Sequence, residues 1–454
     1  MRTKFAPQLY IDFSGKSSLK VVNEYRAKYE RISKILRANP LIVSLAHRDW
    51  SKMFSSSRAG RKSGFTSEQI LRALIVMFVE RDSYRQVVVR IENSEFLRHF
   101  VGLGSKQTMD FSFLSRAFGI LSESATKAMN RALNEYALQE EKISGEKLRL
   151  DTTAYETNIH YPTDSSLLWD SFRTLARVLI LVQRELPQLG IDHRCHVKKV
   201  KKLSYYIARN GSSNSKSKKR KVKSTYRTLI GRVRWIAHVA QEVLDVLERI
   251  GYEADELLHY VPIVGRIIYQ AEQRVLYGSM LPADQKVYSL FEEHTELIKR
   301  GKAGKPIEYG HKVLIAQTAQ KFIHHYQVLP RQSGDIELLD PTIKAHQRLF
   351  GQAPQVLATD KGFYKSMEQI GQLEQEIKTV SICKKGRRTT GQYERESTTA
   401  FIDGQRFRAG CEGSISVLKR VFKLGLCLFK GFKNYAASVG CAVLCHNLVL
   451  LAKL

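Results

Sequence analysis

The 454 residues are enough for two or three domains around a large buried core. Hydrophobic residues make up 43% of the chain and charged residues 26%, which excludes a disordered or low-complexity protein. Lys and Arg number 73 against 44 Asp and Glu, a formal charge of +29 spread along the chain. That excess points to a polyanionic partner, because basic side chains that meet phosphates displace condensed counterions. A basic protein kept in solution by its charge is the alternative.

The N-terminal run Met1-Arg-Thr-Lys-Phe-Ala-Pro7 has no apolar signal-peptide core. No run of about 18 apolar residues is expected to span a membrane. Residues 18 to about 140 read as helical. Thr66-Ser-Glu-Gln69 is a capping box ahead of the apolar run Ile70–Phe78. Ser83–Ile91 and Phe111–Phe118 follow as further helices, separated by Val101-Gly-Leu-Gly104. Their arginines, Arg85, Arg90, Arg98 and Arg116, suit a compact DNA-contacting module or simply a solvated face.

Around Asp151 the period changes to two: Leu148 and Leu150 alternate with Arg149 and Asp151. Helical patterning returns from Ser165 to about Leu297, with Asp164 as the expected cap. Inside it lies a Ser- and Lys-rich break, Arg209 to Lys223. There Lys218, Lys219, Arg220 and Lys221 are expected to form a flexible loop that touches phosphates, although such a run also resembles a nuclear-import cluster.

Strands return as Lys312–Gln317 and Phe322–Leu329, four residues apart, a hairpin signal. A helix (Ile336 to Leu349), a strand ending at Asp360, a second helix (Tyr364 to Leu373) and the strand Ile377–Ile382 come next. After the basic loop from Lys384, a helical tail is expected from near Ala409. The six cysteines (Cys195, Cys383, Cys411, Cys427, Cys441 and Cys445) show no paired spacing, and small buried thiols of an intracellular protein are expected.

Three acids stand out in this pattern. Asp151 and Asp360 each end a strand-like run, and Glu412 lies in a helical stretch. Residues 408, 412, 416, 419 and 423 share one stripe of that helix and read Arg, Glu, Ser, Lys, Lys. Cys411, Ile415, Leu418 and Phe422 form the neighbouring apolar face. Gly410 and Gly413 each weaken the helix by about 1 kcal/mol relative to alanine, so an irregular first turn is expected. Carboxylates suit hard cations such as Mg²⁺, and two such ions can promote phosphodiester displacement.

Strand, long helical insertion, two strands, helix, strand, helix, strand and helix is the outline of a ribonuclease-H-like α/β fold with a mixed sheet. The insertion, about 160–306, enters after the first strand. The expected division is a helical N-terminal DNA-binding domain, 1–140, and a catalytic domain, 141–454.

At the acids a family resemblance is found. Asp151-Thr-Thr, Tyr161-Pro-Thr-Asp-Ser-Ser-Leu-Leu, Thr359-Asp-Lys-Gly-Phe and Arg408-x3-Glu412-x6-Lys419 resemble the DDE transposases of bacterial insertion sequences. The stretch Gly60 to Gly104 is similar to the helical domain that precedes the catalytic domain in many of them. Gln405 stands where the family's pattern has a tyrosine.

The resemblance implies that Asp151, Asp360 and Glu412 are the catalytic, metal-binding triad, with two Mg²⁺ ions for which Mn²⁺ can substitute. It implies that Arg408 and Lys419 grip the DNA backbone, with Lys361, Arg420 and Lys423 as further candidates. The implied partner is double-stranded DNA, both element ends and target, bound by a homodimer in the bacterial cytoplasm at the nucleoid, with no membrane partner. Two other readings stay open: a ribonuclease-H-like nuclease without strand transfer, and a catalytically silent DNA-binding protein derived from a transposase.

Overall fold

In the computed structural model, which describes residues 4, 17–53, 64–191, 193–299, 304, 306–329 and 334–454, the N-terminal part is helical. It comprises α1 (Lys20–Ala38), α2 (Pro40–Trp50), α3 (Ser67–Val79), α4 (Tyr84–Glu92), α5 (Glu95–Val101), α6 (Phe111–Ile120) and α7 (Glu123–Gln139). The N-terminal heptapeptide, Lys4 apart, and residues 60–63 lie outside the described residues. The Thr66 hydroxyl accepts from Gln69 N–H while the Gln69 side chain returns to Thr66 N–H, the expected capping box. All of α3 is buried, because its apolar run continues round the whole helix.

The remaining elements are β1 (Lys147–Thr157), α8 (Asp164–Glu185), α9 (Val197–Asn210), α10 (Lys216–Arg249), α11 (Asp255–Glu272), β2 (Glu296–Lys299), β3 (Ile307–Gln317) and β4 (Ile323–Val328). After them come α12 (Leu339–Phe350), β5 (Val356–Ala358), α13 (Met367–Glu376), β6 (Thr379–Ser381), α14 (Thr390–Ser397), α15 (Thr399–Val421), β7 (Leu426–Cys427) and α16 (Phe432–Leu451). They form two compact units: Met1–Glu156 with His311–Leu454, and Thr157–Gly310.

The first unit is built on a mixed sheet in the order β4-β3-β1-β5-β6, with β7 also pairing β1. Pairing of β3 with β4 is antiparallel, and β1-β5-β6 run parallel. A parallel strand is covered on both faces, and β1 is. Leu148 and Leu150 pack with Leu339, Ile343 and Ile370 on one side, while Tyr155 joins the large core of α1–α7 and α16 on the other. The result is a mixed α/β arrangement with a mostly helical N-terminal part, consistent with a ribonuclease-H-like transposase domain.

The second unit packs Leu168, Phe172 and Leu175 of α8 against Ile230, Val233 and Ile236 of α10 and Ile263 and Ile267 of α11. Its strand β2 pairs antiparallel with the first residues of β3, Lys299 opposite Ile307.

Asp151 lies within β1 and does not end it, because pairing with β7 through Glu156 N–H and Gly425 O carries the strand on to Thr157. Local structure differs from the sequence reading at five further places. Thr163, not Asp164, caps α8 by accepting from Ser166 N–H, and Asp164 instead pairs with Arg274 at 3.0 Å. Lys218–Lys221 lie in the first turns of α10 and not in a loop; the break is confined to residues 211–215. Helix α14 follows the basic loop, although its polar sequence gave no apolar period. Among the described residues one helix, α16, is long and apolar enough by length and composition to cross a membrane, but 83% of that apolar stretch is buried inside the protein.

The last difference is α15, which starts ten residues before Ala409 and passes through both expected weak points. Its glycines serve close approach. A β-carbon on Gly404 would lie 2.4 Å from Ser381 Cβ, and one on Gly410 would lie 2.2 Å from Arg149 Nη1. The helix therefore lies flush on β6 and β1. Gly413 has open space instead. Gly404→Ala is expected to lower the urea midpoint, because overpacking costs about 1–3 kcal/mol and outweighs the ~1 kcal/mol helix-propensity gain. Gly413→Ala, which keeps the gain alone, is expected to raise it.

Candidate active site

The site begins with strand register. Lys147 pairs with Val356, Leu148 with Leu357 and Arg149 with Ala358. Two residues further on, Asp151, within β1, stands level with Asp360, just beyond the end of the adjacent parallel strand β5. Each acid is oriented by its own backbone: Asp151 Oδ1 accepts from Thr152 N–H at 2.7 Å, and Asp360 Oδ1 accepts from Gly362 N–H at 2.8 Å. The second bond caps the short turn Lys361–Phe363.

Helix α15 brings the third acid. Arg149, on the Asp151 side of β1, donates from Nη1 to Phe407 O at 2.8 Å and from Nε to Gln317 at 3.1 Å. Its guanidinium lies 4.8 Å from the Phe407 ring centroid. With α15 anchored there, Arg408 Nη2 donates to Glu412 Oε1 at 3.1 Å, and Nη1 stands 3.9 Å from Asp151 Oδ2. Arg408 thus links the helix acid to the strand acid. Its Nε is buried with no hydrogen-bond partner among the described residues.

The acids feel one another. Burial pushes the Asp151 carboxyl up to about 6; negative Asp360 adds to the shift and Glu412 contributes, while Thr152 N–H and Arg408 oppose it. Its side chain is 16% exposed, against 65% for Glu412. A cluster of mutually repelling carboxylate oxygens fits a hard divalent cation in charge and donor type. The side chains are not drawn into a coordination shell: among the described residues no group of three His, Cys, Asp or Glu is placed to hold a metal ion.

Gln405, at the position of the family's tyrosine, is turned inward. Its Nε2 donates to Ser381 O at 2.7 Å and Thr359 O at 3.3 Å, tying α15 to the residue before Asp360. Lys361 and Arg420 are exposed and Lys419 is half-buried. Lys423 lies beyond the end of α15, with φ +66°. Its Nζ donates to Asp82 O at 2.5 Å and sits over Phe78 and Phe429, and burial lowers its pKa to about 8. The stripe read over 408–423 therefore ends at Lys419. His446 bonds Asn447, and His324 and His346 form a buried pair 3.3 Å apart. Residues that carried no sequence signal also reach this end of the sheet. Asp335 and Lys312 are the clearest, 3.3 Å apart.

The raised Asp151 pKa has a consequence for stability. An unfolded Asp loses its proton near 3.8 and the folded one near 6. Between these values the folded state holds the extra proton, so stability falls as pH rises, and the penalty is fully present above pH about 6. Without divalent cations, Asp151→Asn should be more stable than the parent at pH 7.5, by on the order of 1–3 kcal/mol. The advantage should shrink towards pH 4. Thermal melts of both proteins across that range measure it.

Residues 283–448 match the family model described as a transposase DDE domain. The span includes Asp360 and Glu412, while Asp151 is brought to them from outside it by the β1–β5 pairing. No curated protein and no solved structure matches the chain. The match over residues 283–448 supports a DDE transposase.

Proposed function

We propose that this protein is a DNA transposase that binds the inverted repeats at element ends, cuts the DNA there and joins the freed 3′-hydroxyls to target DNA. The observation that carries this reading is the level placement of Asp151 and Asp360, with Glu412 linked to Asp151 through Arg408, in a chain with a transposase DDE domain. Both reactions are phosphodiester transfers. In the first, a water oxygen bonds to phosphorus and the 3′-oxygen leaves. In the second, that 3′-hydroxyl bonds to a target phosphorus and a target 3′-oxygen leaves. Divalent cations, Mg²⁺ or in its place Mn²⁺, would be held by Asp151, Asp360 and Glu412 and would supply activation of the attacking oxygen and charge stabilisation of the leaving one.

The other residues bind and orient DNA. Arg408, now against Asp151 and Glu412, is placed to exchange these carboxylates for a phosphate beside the scissile one. Lys419, on the same stripe, and exposed Lys361 and Arg420 hold flanking phosphates. Lys423 is left out of this set, since its ammonium is engaged with Asp82 O and two aromatic rings. Lys218, Lys219, Arg220 and Lys221 crowd the positive end of α10, where a helix dipole disfavours cations, and a phosphate backbone relieves that repulsion. The helices within residues 1–140 add recognition of the repeats, and a homodimer bridges two ends.

Asp151→Asn, Asp360→Asn and Glu412→Gln should each abolish cleavage of element ends while leaving DNA binding intact, since each removes a charge at nearly constant volume. Normal nicking by Glu412→Gln would refute the triad. A strand-transfer product from pre-cut ends distinguishes the transposase from a nuclease of the same fold.

Replacing Lys218, Lys219, Arg220 and Lys221 together with alanine should weaken DNA binding and flatten the plot of log affinity against log salt. The slope falls by about 0.9 for every phosphate that the variant no longer neutralises, and sequence preference should stay as it was. An unchanged slope would mean that this turn of α10 faces only solvent.

A further inference from the structure

We infer that Asp335 is a positioning residue for the catalytic acids: it straps together the three strands that carry the site. The inference rests on the reading of Asp151 and Asp360 as those acids. Asp335 opens the short turn Asp335–Leu338 after β4, remote in sequence from Asp151. Its Oδ1 accepts from Lys312 Nζ of β3 at 3.3 Å and from Thr152 Oγ1 of β1 at 3.4 Å. Its Oδ2 reaches the turn that follows β5: a β-carbon on Gly362 would lie 3.1 Å from it and 2.9 Å from Asp360 Oδ1. One carboxylate therefore touches β3, the residue after Asp151, and the glycine whose N–H holds Asp360.

The geometry needs both ends of this strap. Lys312 neutralises Asp335, so a fourth acid is tolerated near two that already repel each other. Gly362 leaves room for Asp335 and Asp360 to approach the same point, which any side chain would fill. The strap keeps Asp151 and Asp360 at one spacing when their mutual repulsion would separate them. Its loss should therefore weaken the affinity of the pair for a divalent cation more than it weakens the fold. Groups that orient metal ligands from behind typically change metal affinity by about 10- to 100-fold when removed.

The experiment titrates Mg²⁺ against the full-length protein, following both the rise in melting temperature and single-turnover cleavage of pre-bound element ends. Asp335→Ala and Gly362→Ala are expected to raise the half-saturating Mg²⁺ concentration about tenfold or more, with melting in the absence of Mg²⁺ close to the parent. Asp335→Asn, which keeps an acceptor of the same shape for Thr152 and Lys312, is expected to restore most of the affinity. If Asp335→Ala does not fold, Gly362→Ala and Asp335→Asn carry the test. Parent-like Mg²⁺ dependence in Gly362→Ala, or an Asp335→Asn variant as impaired as the alanine one, overturns the inference. Asp360→Asn serves as the reference: if it still cleaves, the triad reading fails, and if it is inactive while the strap variants match the parent, only the strap fails.

Discussion

Parallel pairing of β1 with β5 is the constraint on which the site depends. Register in a sheet is strongly specified when both faces are buried, because a slip of one residue would turn Leu148 and Leu150 out of their core and Arg149 into it. Holding Arg149 opposite Ala358 leaves Asp151 level with Asp360, just past the end of β5. Two carboxylates more than two hundred residues apart are thereby fixed side by side without touching each other through any bond of their own.

Helix α15 carries a third acid, Glu412, linked to that pair through Arg408. It lies close to the sheet only because Gly404 and Gly410 present no side chain to Ser381 and Arg149. Arg149 and Gln405 then pin it from below, through Phe407 O, Ser381 O and Thr359 O. The same helix carries a local propensity cost at each glycine of about 1 kcal/mol, which the packing offsets. Glu412 remains largely exposed at the free face, joined to Asp151 through Arg408. An exposed acid beside a buried one suits a site that receives a large polyanion from solvent.

The N-terminal helices are not loosely attached to this sheet. Helix α16, apolar on all sides, packs in one core with α1–α7, and Asn447 bonds both N–H and C=O of Ile323 at the start of β4. Lys423 reaches Asp82 across the same unit. Motion of these helices relative to the sheet would break these interactions.

Strand ends, caps and helical stripes are local, and the sequence by itself determined them. Asp151 on a strand and Asp360 at the close of one, the Thr66 capping box, the hairpin of β3 and β4, and Glu412 between Arg408 and Lys419 were all legible from residue order. Periodicity reports which face of an element is apolar, and these signals are carried by neighbours within a turn or a pleat. Elements whose cause is remote were not legible. The length of α15 is set by the sheet beneath it, α14 has no apolar period, and the basic run at Lys218 is helical because α10 continues it into the core of its unit. Lys423 reads in the sequence as one more cation on a stripe, but the chain turns left-handed there and buries it against Phe78 and Phe429. Tertiary structure alone decided the placement of Asp335, since only the assembled sheet brings Lys312, Thr152 and Gly362 around one carboxylate.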